Sequence, residues 1–149
     1  MPDPDMKPVR LVALDAADLA VVSAHVQDAV LKVGDIRWIP GEHRCLFRLN
    51  RFAWEKKARR RSENERRLAV LHFDRVLAAK ALRIRPDEPE TVLSLLAVTF
   101  EETDAPAGVV TLVFSGDATM RLEVECLEAQ LSDVGGAWAT HARPKHPVA

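Results

Sequence analysis

The sequence predicts an α+β domain: an N-terminal strand and helix, followed by two similar three-stranded antiparallel units that form a strongly bent sheet or barrel. Three observations predict it. One stretch, Leu19, Val22, Val26 and Ala29, repeats apolar residues at helical spacing. From Leu31 onward the apolar residues alternate at period two, the spacing of half-buried strands. That alternation then slips by one residue at corresponding places in two stretches that resemble each other. With 149 residues and 48% hydrophobic side chains, the chain supplies one core and is too short for two full domains.

Arg10 to Leu14 reads as a short strand. Asp15-Ala-Ala-Asp18 then starts a helix, with Asp15 as N-cap and Asp18 facing the exposed first-turn amides. The apolar spacing carries this helix from Asp15 to about Val30, with Ser23, Gln27 and Asp28 on its other face and His25 beside them. Next, Leu31, Val33, Ile36 and Trp38 alternate with Lys32, Asp35 and Arg37, and Cys45, Phe47 and Leu49 alternate with Arg44, Arg48 and Asn50. Pro40-Gly41-Glu42-His43 between them is turn chemistry, so the two runs read as a hairpin.

The remainder resembles what precedes it. Val30 to Trp38 lies over Val92 to Phe100, Cys45 to Leu49 over Val110 to Phe114, and Arg67 to Leu77 over Arg121 to Leu131. Each unit is thus three strands, spanning about 30–77 and 92–131, with hairpin turns at Pro40 to His43 and Thr103 to Gly108. In the second unit Leu122, Val124 and Cys126 point one way, and Leu127, Ala129 and Leu131 continue out of phase. Leu68, Val70 and His72 followed by Phe73, Arg75 and Leu77 do the same in the first, which predicts a bulge or sharp bend at both places. Residues 1–9 read as a disordered N-terminus, 10–138 as the single domain with Ala137-Trp138 as a final anchor, and 139–149 as a flexible tail.

The net charge of -1 argues against a uniformly basic nucleic-acid binder and an acidic disordered chain. The charges are segregated along the chain. Residues 51–85 hold 12 basic and 4 acidic residues, whereas 86–133 hold 1 basic and 11 acidic. Neighbouring units would turn these into cross-strand pairs, and units at opposite ends would give two poles. Asp3, Asp5 and the prolines of the first eight residues do not suit a signal peptide, and no apolar run approaches the roughly 20 residues of a bilayer span. Together with two cysteines that form no CxxC pair, this leads us to expect a cytoplasmic protein without a membrane partner.

Candidate sites are few. Lys56, Lys57, Arg59, Arg60, Arg61, Arg66 and Arg67 form a basic segment able to contact the phosphates of RNA or another anion, although Glu55, Glu63 and Glu65 interleave with it as in solvated loops. Phe52 and Trp54 beside it are candidate stacking or interface residues. Ser23, His25 and Asp28 bring together a hydroxyl, an imidazole and a carboxylate, but Ser23 and His25, two apart, do not face each other on a helix, so no catalytic residue is assigned. His43, His72, Cys45 and Cys126 lack any metal-ligand spacing, and the six glycines form no phosphate-binding loop, so no metal or cofactor is expected.

Ser23-Ala-His-Val-Gln-Asp-Ala-Val30, Asn50-Arg-Phe-Ala-Trp-Glu55, Leu71-His-Phe-Asp-Arg-Val76 and Arg121-Leu-Glu-Val-Glu-Cys126, running on to Trp138, resemble an uncharacterised bacterial family, domain of unknown function 2948. The resemblance implies a free-standing bacterial cytosolic protein and brings no activity, cofactor or site residue. A pleckstrin-like seven-stranded roll is the alternative architecture, although its helix is terminal and this one comes first. The function the residues suggest is a non-enzymatic protein-binding or adaptor module, with a protein partner or self-association. RNA or anion binding through 56–67 is the alternative, and an enzyme with an unrecognised site is the second.

Overall fold

The computed structural model describes residues 8–52 and 66–134. Residues 55–65, which hold most of the basic segment, Trp54, Trp138, the tail and all but the end of the N-terminal segment lie outside these residues. The elements in order are β1 (Arg10–Ala13), α1 (Ala16–His25), β2 (Ala29–Lys32), β3 (Ile36–Ile39), β4 (Arg44–Phe52), β5 (Arg66–Phe73), β6 (Val76–Leu82), β7 (Val92–Glu102), β8 (Gly108–Phe114), β9 (Thr119–Val124) and β10 (Ala129–Asp133). The strands pair antiparallel in the order β1-β10-β5-β4-β2-β7-β8-β9-β6, with β3 on β4. Among the described residues, ten strands and one α-helix make this a predominantly β fold, not the α+β domain expected, and their sheet is not closed into a barrel.

The helix begins as its residues dictate. Asp15 accepts the Asp18 amide at 2.8 Å, and Asp18 in turn accepts the Leu14 amide at 3.0 Å. It ends five residues before the expected Val30, because a tertiary contact captures the chain. Asp28 adopts a left-handed φ of 66° and its amide donates to the Leu95 carbonyl of β7 at 2.8 Å, so Ala29 and Val30 enter a strand instead. Leu19 and Val22 bury the inner face of α1, and Ser23 Oγ accepts the Val98 amide at 3.0 Å just past the register shift of β7. The helix is thereby docked on β7 as an appendage, not as a layer of its own.

The third strand of each expected unit is broken, as the phase slips indicate. Asp74 and Arg75 separate β5 from β6, and residues 125–128 separate β9 from β10. β5 pairs with β10 and β6 with β9, so the two long strands run antiparallel to each other on both sides of the bend. Across it the Asp74 amide donates to the Glu128 carbonyl at 2.9 Å and the Glu125 amide to the Arg75 carbonyl at 3.0 Å. Core-facing residues step by three over each break, from Phe73 to Val76 and from Val124 to Leu127. In β5 the buried set is Ala69, Leu71 and Phe73, the opposite parity to that expected from Leu68, Val70 and His72.

Apart from β1 and β3, which have no counterparts, the strand order is unchanged when β2, β4, β5 and β6 exchange places with β7, β8, β9 and β10. Strands of the two stretches therefore lie side by side, and among the described residues Arg51 and Arg67 meet Asp133 while Arg75 meets Glu125 and Glu128. Arg75 Nε, on the bend, donates to Glu128 Oε1 at 3.2 Å. Inside, Phe47 of β4 meets Phe73 edge-on at 6.1 Å between ring centroids and Phe114 of β8 at 6.5 Å, tying the halves together.

At the far end of β10 the Asp133 side chain has no solvent exposure, and neither has that of Arg51 of β4. Arg51 Nε donates to Oδ1 at 2.9 Å and Nη2 to Oδ2 at 2.8 Å, a bidentate pair. Asp133 Oδ2 also accepts the Val9 amide at 2.8 Å, and Arg67 Nη1 lies 3.9 Å from it. This cluster explains the parity of β5: Arg67 takes an inward position because its counter-ion is inside. Removing the Asp133 carboxylate takes the bidentate counter-ion from a buried guanidinium, so Asp133→Ala is expected to lose about 3–5 kcal/mol of stability. Lys32→Ala, which breaks the exposed 2.8 Å pair with Glu90, is expected to lose at most about 1 kcal/mol; urea unfolding of both variants checks the contrast.

Candidate binding edge and its polar flank

The open sheet has two terminal strands, and they differ. β1 pairs with β10 along four residues, and α1 follows it immediately and packs on it. β6, the counterpart of β10 in the exchanged order, pairs with β9 alone among the described residues. Of its seven residues, Val-Leu-Ala-Ala-Lys-Ala-Leu, only Lys80 is charged. Leu77 is 52% exposed and Leu82 57%. Short strands, charges, bulges and covering elements normally protect a sheet edge; of these β6 carries one charge, Lys80, and one irregularity at its start, and no described strand covers its outer side.

The register fixes its geometry. Val76 pairs with Val124, then Ala78 with Glu123, so a bulge falls at Leu77. The Val76 amide donates to the His43 carbonyl at 2.9 Å, and His43 Nδ1 donates to the Val76 carbonyl at 3.3 Å. His43 reaches this position from the left-handed φ of 53° that ends the Pro40–Glu42 turn. It closes off the start of the edge, and the open run is Ala78 to Leu82.

Beside that start lies a cluster of ionisable side chains gathered by the bend. Arg44 Nε donates to Asp74 Oδ1 at 2.7 Å, and His72 Nε2 lies 3.5 Å from Asp74 Oδ2. Burial holds the His72 imidazole below its ordinary value; Arg44 adds to this, while Asp74 and Glu128 oppose it. The Asp74 hydrogen bond and charge raise the Arg44 guanidinium further. Cys45, next in β4, is buried, and burial pushes its thiol up to about 12, which leaves it protonated and inert near neutral pH. No three His, Cys, Asp or Glu side chains among the described residues are placed to hold a metal.

The other sequence candidates fall elsewhere. Ser23 serves the Val98 amide, and His25 Nδ1 donates to the Val21 carbonyl at 2.9 Å, so both act within the fold. Arg67 is buried at the Asp133 cluster, while Arg66 is exposed with its guanidinium 4.9 Å from the centre of the Phe52 ring. Trp54, Lys56, Lys57, Arg59, Arg60 and Arg61 lie outside the described residues. The β6 edge was missed because its signal is strand order, and because Ala78, Ala79 and Ala81 have little strand propensity of their own.

Compared with known proteins, the chain matches a family model described as Protein of unknown function (DUF2948) over residues 9–146. No curated protein and no solved structure matches it.

His72 makes stability depend on pH. Its folded-state value lies below the ordinary 6.5, so between those two values the unfolded chain takes up a proton that the folded chain resists. Its contribution is complete above about pH 6.5 and declines as pH falls through the folded value. Thermal unfolding between pH 7.5 and 5 is expected to show a smaller fall in Tm for His72→Asn than for the unaltered chain.

Proposed function

The chain belongs to the DUF2948 family, and within it we propose that this protein is a non-enzymatic protein-binding module that takes an extended segment of a partner along β6. The observation that supports this most is the open edge itself: a terminal strand with one charge in seven residues and two exposed leucines. The backbone groups of such an edge supply affinity to any extended chain, and side chains at alternate positions supply selectivity. The chain already uses this mode at the equivalent place, where the four residues of β1 add antiparallel to β10. His43 sets where an added strand must stop, so recognition is confined to Ala78 to Leu82.

The polar groups around the bend suit a supporting role. Arg44, Asp74 and Arg75 spend their charges on one another and on Glu128, which fixes the angle at which β6 leaves β5. The test is site-specific photo-crosslinking in a native lysate, with the reactive side chain placed at Leu82 or, as control, at Thr99 in the interior of the same sheet. The expected outcome is a discrete protein adduct from position 82 alone, joined through an extended segment of the partner. Identical adducts from both positions, or none from 82, would contradict the proposal.

A further inference from the structure

The register places two cations face to face beside the open edge. Lys80 of β6 pairs directly with Arg121 of β9, and both are exposed. Directly opposed residues share a face of the sheet, and like charges there are unfavourable. Among the described residues neither forms an ion pair within 4.0 Å. Arg121 in turn pairs with Thr111 of β8, and Thr111 with Thr99 of β7, so one row across four strands carries two hydroxyls and two cations. The next row holds Glu101, Val109, Glu123 and Ala78, and the row on the other side of β6, β9 and β8 holds Leu82, Thr119 and Val113.

We infer that the segment taken up by β6 is acidic at one defined position: a peptide strand of another protein with Asp or Glu opposite Lys80, two residues from an apolar side chain opposite Leu82. The inference rests on the strand-addition reading above and adds the partner's chemistry. A strand added outside β6 sets its residues directly opposite those of β6, so a carboxylate opposite Lys80 relieves the Lys80–Arg121 repulsion. Antiparallel addition, as β1 adds to β10, orders the partner motif as apolar, any residue, acidic, any residue, small, the last opposite Ala78 beside Glu123. A second copy of this chain fits poorly, because β6 against β6 gathers two Lys80–Arg121 pairs on one face. A polyanion fits poorly too, because Glu101 and Glu123 occupy the adjoining row.

The experiment is selection of a random heptapeptide display library against the full chain, followed by titration of the enriched peptides. The inference expects peptides with one Asp or Glu two residues after an apolar one. It further expects binding to weaken about tenfold on Lys80→Glu, as one attraction becomes a repulsion, and to return when the peptide's acid is changed to Lys. Amide shifts of β6 on titration locate the site independently of that variant. Peptides that perturb β6 without acidic bias, or that ignore Lys80→Glu, would overturn the acidic partner and leave strand addition standing. Failure to recover any peptide that perturbs β6 would overturn both. Displacement of the peptides by a mixed oligonucleotide at moderate salt would assign the cation pair to nucleic acid and overturn the inference.

Discussion

Two long strands that pair with each other on both sides of a shared bend hold this structure together. β5 continues into β6 and β9 into β10, and each half of one finds its partner in a half of the other. The bend survives because the polar backbone groups it frees are answered across it, by Asp74 to Glu128 and Glu125 to Arg75. Since the phase slips by one residue in each strand, both faces of the bend still present apolar side chains to one core. Leu71, Phe73 and Val76 meet Val124, Leu127 and Ala129 there, and α1 needs only to cover what β7 and β1 leave.

The same pairing decides what becomes of the charge. A basic stretch and an acidic stretch that are distant in sequence are laid side by side, so Arg51 meets Asp133 and Arg75 meets Glu128. Part of the segregated charge is answered in this way among the described residues. What remains matters more for being an exception: Lys80 opposite Arg121, where the register brings two cations together at the open edge. The exchange symmetry of the strand order gives that edge its significance, because β1 occupies the matching place beside β10.

The local features of the fold were legible in the sequence wherever local chemistry decides them. Asp15 caps the helix, Pro40 to His43 turns the hairpin, and the out-of-phase runs at 72–73 and 126–127 mark the bends. Where a distant residue decides, the reading failed. Asp28 is diverted by a carbonyl of β7, Arg67 is drawn inward by Asp133, and the α+β expectation gave a ten-residue helix the weight of a layer. The candidate edge was least legible. β6 is alanine-rich, its strand character comes from pairing with β9, and its exposure is a property of the order of all ten strands.

Amide hydrogen exchange of the free full-length chain, read residue by residue in β6 and β10, tests the central claim most directly, because exchange follows whether each backbone amide has a partner. The account predicts slow exchange throughout β10, which lies between β1 and β5, and alternating exchange from Ala78 to Leu82, where only the amides directed at β9 are held. Uniformly slow exchange along β6, equal to that of β10, would show that its outer edge is already covered and would contradict the account.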